Sequence, residues 1–392
     1  MRVLALTVWL TASAVPTLVA QQFDTTVTHQ VVPGVVHERL VLNAAPWNIN
    51  VVRVDLRTAG ITLRVVHARD AFAGRETLAS LASRHDQGDI DVVAAINADF
   101  FQLSDGEATN NMVVAGEWWR AVHVWNGAPP VRSQFALTAG GRMAIDRLAW
   151  SGRLSTRRYP WLALDGVNLR PTADAVVLFT PRFGASTPRD SASRIMLERT
   201  LVPLGALGDT LRFRLADSLH GGGGTPLGPN FVIAGGANSA GRLAALGPIG
   251  SELRYSMSTA PDRGAIRELV GGLPRLVIHG RGLADTALAE AEGTNASLRQ
   301  RHPRSALGFS RDSSTLILVT VDGRQPSSAG MDLAELSGLM LRLGAWEALN
   351  LDGGGSTTLL VAGAVVNRPS DAGGPRPIGN ALLVTRKRPT AH

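Results

Sequence analysis

The chain has no cysteine. That excludes disulfides, thiolate nucleophiles, zinc–cysteine sites and lipid attachment at a cysteine. Lysine is nearly absent too: Lys387, in the C-terminal tail, is the sole one, so a lysine Schiff base in the core is excluded. The formal net charge of +7 is therefore an arginine charge. Arginine suits planar, bidentate contact with phosphate and carboxylate, although a GC-rich genome also favours it over lysine. No long basic run interleaved with aromatics points to nucleic acid, and Arg386-Lys387-Arg388 reads as a solvated tail. The nine histidines form no H-x-H or H-E-x-x-H pair, which argues against a histidine-bound catalytic metal. There is no Walker loop and no G-x-G-x-x-G after a strand. Ser356 is not in a G-x-S-x-G elbow, because Thr358 stands where the last glycine belongs.

The N-terminus does carry an apolar stretch. Arg2 is the only early charge, Val3 to Val19 is almost wholly apolar or small, and Leu18-Val19-Ala20 precedes Gln21 as a cleavage site. Residues 1–20 are thus expected to be a signal peptide, with an uncleaved anchor as the rival. The segment is short for a bilayer span, and no later stretch approaches the length of one. The expected protein is secreted or periplasmic, without stable membrane insertion after cleavage. With 392 residues, 45% of them hydrophobic, the chain can bury a large core. No low-complexity linker divides it, so residues 21–392 are expected to form one catalytic domain.

Alternating and continuous apolar runs predict strands at 25–32, 35–42, 49–56, 61–67 and 91–96. Others are expected at 175–179, 210–215, 230–234, 276–278, 315–321, 346–351, 357–361, 364–366 and 381–385. Helices are expected over 76–87 and 332–343, the second with Asp332 and Glu335 as N-terminal cap and third-position acceptor. His220 and the glycines after it read as a flexible loop. The predicted class is α+β, with a mixed, β-rich sheet core and a few packed helices.

Four clusters stand at strand ends, where binding and catalytic residues gather on a rigid sheet. They are Asn97-Ala98-Asp99-Phe100-Phe101, His302-Pro303-Arg304-Ser305, Asp322-Gly323-Arg324, and Asn350-Leu351-Asp352-Gly353-Gly354-Gly355-Ser356. The first and last share an apolar strand ending in Asn-x-Asp. Glycines let backbone approach a ligand and expose N–H groups. Each cluster also has a structural reading: Asp322-Gly323 as a common turn, Asp99 as a turn cap, Arg304 as an ion-pair partner, His302 as a loop histidine. Asp and Asn oxygens leave room for a calcium or magnesium ion, though nothing in the sequence requires a cofactor. Carboxylates with arginine and free amides suit a sugar–phosphate bond. A carboxylate stabilises or attacks an oxocarbenium-like centre, while a phosphate leaving group needs its charge held more than it needs a proton.

These clusters resemble the phosphodiester glycosidase family. Further similarity appears at Asp165-Gly166-Val167-Asn168, Gly271-Gly272-Leu273-Pro274-Arg275 and Val366-Asn367-Arg368-Pro369-Ser370, so it extends over most of the chain. The resemblance implies hydrolysis of a glycosyl phosphodiester in a carbohydrate or sugar-phosphate substrate. Asp99, Asp352 and Asp322 are the candidate catalytic carboxylates. Asn97, Arg304, Ser305, Arg324, Asn350, Gly353, Gly354, Ser356 and Asn367 are the candidate substrate ligands. A noncatalytic glycan-binding protein on the same fold and a hydrolase of ordinary O-glycosides are the alternatives.

Overall fold

The computed structural model describes residues 22–388 except 124–131, 158, 192–194, 208–209 and 284–299. The expected signal peptide lies outside the described residues. Thr25–Val32, Val35–Leu42, Ile61–His67, Thr210–Leu215 and Thr315–Val321 are strands with the expected bounds. The run expected over 91–96 extends to Ile90–Asn97.

Two sheets build the frame of the site. An eight-stranded antiparallel sheet runs in the order Thr25–Val32, Val35–Leu42, Trp47–Asp55, Thr315–Val321, Arg304–Phe309, Glu347–Asn350, Arg275–Ile278 and Arg281–Gly282. A five-stranded antiparallel sheet runs Ala364–Val365, Leu359–Val361, Ile90–Asn97, Asn380–Lys387 and Ile61–His67. Side chains alternate between strand faces, so each sheet serves two cores. Val52, Val54, Leu307, Leu318 and Leu349 meet Leu63, Val65, Ile96, Leu382 and Val384 between the sheets. Ile49, Val51, Ile317, Val319 and Ala348 point the other way, onto the helix Leu333–Arg342. On the outer face of the smaller sheet, Val92, Ala95 and Leu383 pack against the helix Leu78–His85 through Leu78, Leu81 and Ala82. The central strand Ile90–Asn97 is thus covered on both faces, as its unbroken apolar run requires. The capping box at Asp332 and Glu335 forms as expected.

The middle of the chain folds into a 14-stranded sheet around Trp150, Leu154, Leu178, Phe213, Ile233 and Leu253. The short strand Gly166–Val167 runs parallel to Val176–Phe179 while the other named pairings are antiparallel, so the sheet is mixed. Glu268 ties this sheet to the smaller one, its Oε2 accepting the Val65 N–H at 3.0 Å and the Ala115 N–H at 3.3 Å. With three α-helices among the described residues, the protein is α+β and β-rich.

Two expectations are corrected. His220 is not in a free loop. His220–Gly221 pairs with Leu197 and Glu198, and the ring contacts Thr225 Oγ1 at 3.0 Å. Nor is Arg386-Lys387-Arg388 a solvated tail: Arg386 and Lys387 continue the last strand, Arg386 binds Asp91 at 2.6 Å, and Arg388 binds Asp86 at 2.5 Å. Carboxylates on the neighbouring strand and helix end neutralise these arginines, which the local sequence does not reveal.

Candidate active site

Three strand ends converge from the two frame sheets: the C-terminal ends of Ile90–Asn97 and Glu347–Asn350, and the N-terminal end of Arg304–Phe309. The two Asn-x-Asp motifs meet there. The Asp352 N–H donates to the Ala98 carbonyl at 2.9 Å, and Asn97 Nδ2 donates to the Asp352 carbonyl at 2.6 Å. Asn97 Oδ1 accepts from the Ser305 hydroxyl at 2.7 Å and from the Thr358 N–H at 3.1 Å. Leu351 N–H and Gly354 N–H donate to the Ser305 and Pro303 carbonyls, both at 2.9 Å. Asn97 and Ser305 are thus buried bolts between the sheets rather than cleft-wall ligands.

Beyond Asn350 the chain makes a single 3₁₀ turn, Gly354–Ser356. Gly354 has φ +61°, a conformation that L side chains rarely adopt. At Gly355 a Cβ would come within 2.3 Å of both Arg376 Nη2 and Asp371 Oδ1, so only glycine lets that ion pair close over the turn. Gly353 N–H donates to Asp352 Oδ1 at 3.0 Å and fixes the carboxylate.

A cleft of about 240 Å³ opens at this junction. Asp352, Asn350, Arg304, Arg324, Gly353 and Gly354 line it, all expected from sequence, and Phe100, His302, Leu351, Gly355 and Arg376 join them. Arg304 is held by the Met331 carbonyl at 2.8 Å and the Gln300 carbonyl at 2.7 Å. Burial lowers its pKa to about 10, which keeps it cationic at neutral pH. Arg324 has φ +60°, an uncommon conformation for a residue other than glycine and one that gathers at functional sites. Its Nη2 lies 3.3 Å from His302 Nδ1. Arg376 is gripped by both Asp371 oxygens, at 2.8 and 3.2 Å. Three arginines and one aspartate thus line the cleft. Asn350 donates to the Leu273 carbonyl at 2.6 Å, and its buried Oδ1 has no partner among the described residues.

The carboxylates differ in position. Burial raises Asp352 to about 6, opposed by Ser356, the Gly353 N–H and Arg376. Asp99 lies behind the cleft wall, 2% exposed, and burial raises it to about 7. Its Oδ1 accepts from Asn110 Nδ2 at 2.6 Å and the Phe100 N–H at 2.8 Å; its Oδ2 has no partner among the described residues. Asp322 is outside the cleft lining. It accepts the Arg368 N–H at 2.9 Å and its carbonyl takes the Ser328 hydroxyl at 2.6 Å, the turn role rather than the wall of the site. Asn367 is likewise internal, bonding Leu359 N–H and the Thr357 carbonyl across the hairpin, and Ser356 is buried beneath the turn. Among the described residues no group of three or more His, Asp or Glu is placed to hold a metal ion.

Sequence reasoning passed over His302 as a loop histidine and did not single out Arg376. Neither has periodicity around it. The usable signal for Arg376 was its position in a proline- and glycine-rich loop shortly after the Asn367-Arg368-Pro369-Ser370 match.

Comparison with known proteins agrees with the motifs. Residues 223–385 match the family model described as phosphodiester glycosidase. A 78-residue stretch is 42% identical to the SPbeta prophage-derived uncharacterized protein YomE of Bacillus subtilis. A 68-residue stretch is 40% identical to N-acetylglucosamine-1-phosphodiester alpha-N-acetylglucosaminidase of Bos taurus. These segments are 20% and 17% of this chain, and the chain spans about an eighth (12%) of each of those relatives. The fold resembles a hypothetical protein from Synechocystis, with TM-score 0.73, 23% identity, and coverage of 93% of this chain and 64% of that one. It also resembles a Burkholderia pseudomallei K96243 protein whose name proposes export, with TM-score 0.65, 23% identity, and coverage of 86% and 74%. Over residues 223–385 this chain carries a phosphodiester glycosidase family domain.

Proposed function

We propose that this protein is an exported hydrolase that cleaves a sugar-1-phosphate diester in a glycan or glycoconjugate. One observation supports the reading: Asp352, Arg304, Arg324 and Arg376 line one cleft around a glycine turn. The arginines hold the phosphate, and charge-assisted, planar contacts are the strong ones for that task. Asn350 Oδ1 and the Gly353–Gly354 backbone orient the sugar. The bond from the anomeric carbon to the phosphate oxygen breaks with its electron pair leaving on the phosphate. Positive charge grows at the anomeric carbon, and Asp352 stabilises it. Water oxygen then bonds that carbon, and its proton passes to a carboxylate. Asp99 sits behind the wall, where burial, together with the charge of Asp352, holds it protonated up to about pH 7.

Hydrolysis of an ordinary O-glycoside is the second reading, because its leaving group needs a proton and Asp99 stays protonated up to about pH 7. Its burial, with Oδ1 already accepting two hydrogen bonds, weighs against it as a donor to substrate. The test is sugar release from a panel of glycosyl phosphodiesters and aryl glycosides, with and without EDTA. Turnover confined to the phosphodiesters is expected. Turnover of aryl glycosides alone would replace this reading with the second one.

A further inference from the structure

The large middle sheet carries a second cationic surface, on different strands from the cleft. Three neighbouring strands, Ala149–Thr156, Glu252–Ala260 and Thr210–Leu215, are in antiparallel register. One face of each is apolar and buried, contributing Trp150, Leu154, Leu253 and Phe213 to the core. The alternate positions point outward. Arg212 stands directly opposite Arg254, Arg214 opposite Glu252, and Arg153 opposite Ser256. Arg153, Arg214 and Arg254 are exposed, and Arg212 is half-buried. Arg212 pairs with Glu252 at 3.0 Å, and Arg153 donates to Ser256 Oγ at 2.9 Å. Four arginines thus face one carboxylate on this outward surface. Like charges directly opposite each other on a sheet destabilise it, so the Arg212–Arg254 pair is unfavourable for the fold by itself.

We infer that this face binds a polyanionic glycan chain with repeating phosphodiester groups. Sheet geometry sets the arginines about 5 Å apart across strands and about 7 Å apart along one strand. That spacing offers a row of cations to a row of phosphates, while Ser151, Ser256 and Ser258 offer hydroxyls to the units between them. The arginine-bearing positions of these strands hold no aromatic to stack a base, and the exposed apolar side chains Leu211 and Met257 stand singly on the alternate positions, too few to enter a bilayer. A carbohydrate or polyol chain is therefore favoured over nucleic acid or membrane. The inference stands apart from the catalytic reading, since it concerns binding by another sheet.

The test is binding of poly(glycerol phosphate) to the full chain and to the double variant R212S/R254S, at several salt concentrations. Phosphatidylglycerol vesicles and single-stranded DNA are the comparison ligands. The wild-type chain should bind the polymer, and the double variant should bind it at least about tenfold more weakly, with a salt slope lower by about 2. Thermal stability of the variant should change little, since the like-charge pair removed is offset by loss of the exposed Arg212–Glu252 ion pair. Turnover of a small substrate should be unchanged, which separates this surface from the cleft. Equal binding by the variant and wild type would overturn the inference, as would binding to the vesicles or DNA but not to the polymer.

Discussion

Replacing Asp99 by Asn should stabilise the protein at alkaline pH and do almost nothing at acid pH. Asp99 Oδ1 takes both hydrogen bonds, from Asn110 and from the Phe100 N–H, while Oδ2 is buried without a partner among the described residues. An asparagine with its oxygen at Oδ1 keeps both bonds and removes only the charge. Burial raises the carboxyl from an ordinary 3.8 to about 7. A folded-state pKa above the unfolded one means the fold favours the protonated form. That contribution is complete below about pH 4 and is lost as pH rises through about 7. The gap of about three pH units, at about 1.4 kcal/mol each, corresponds to about 4 kcal/mol. The stability of Asp99→Asn relative to wild type should therefore climb by a few kcal/mol between about pH 4 and about pH 8. Urea unfolding midpoints at the two pH values, multiplied by the measured slope, read this difference. A difference that stays flat to within about 1 kcal/mol would mean that Asp99 titrates normally in the fold, and the burial argument would be wrong.

Other expectations follow from the site. Asp352→Asn should abolish turnover with an unchanged circular dichroism spectrum, and full activity in it would remove Asp352 from the mechanism. If Asp352 works as a carboxylate, activity should fall as pH drops through about 6, and Asp99→Asn should leave that limb in place, because Asp99 is still protonated there. Arg324→Ala should raise KM by about 10- to 100-fold, the range for one lost charge-assisted contact, and an unchanged KM would free Arg324 of phosphate binding. Gly355→Ala should displace the Arg376–Asp371 pair and cut kcat/KM, whereas Gly363→Ala, at an open turn away from the cleft lining, should not. Asp332→Ala should destabilise by about 1 kcal/mol through loss of the helix cap, measured by denaturation, with no change in KM.

Much of the frame was legible because its signals are local. Val35–Leu42 and Thr315–Val321 alternate or run apolar without interruption, and their bounds match the expectation. The Asp332 cap was readable for the same reason. The long strand Leu197–Leu207 was not. Pro203 and Gly205 break its pattern, and the strand itself bulges between them, a register shift that only pairing reveals. The site divides likewise. Arg304, Arg324, Asn350, Asp352 and the glycines were found from strand-end position and residue chemistry. Asn97 was found too, but its part as a cross-link depends on Asp352 and Thr358, which are distant in sequence. His302 and Arg376 reach the cleft through loop paths that no periodicity encodes.

The bonding between the two Asn-x-Asp motifs also bears on what can be cut away. The matched segment 223–385 holds Asp352, the arginines and the glycine turn, yet it lacks Ile90–Asn97. That strand lies between Leu359–Val361 and Asn380–Lys387. Without it the small sheet has a gap at its centre, and the Asp352 carbonyl loses its amide donor. A fragment bounded by the family match is therefore expected to expose two facing strand edges and to aggregate. Supplying the missing strand in trans, as part of an N-terminal fragment, is the route by which such a half could regain a working cleft. The cleft is in that sense complete only when segments far apart in sequence have paired.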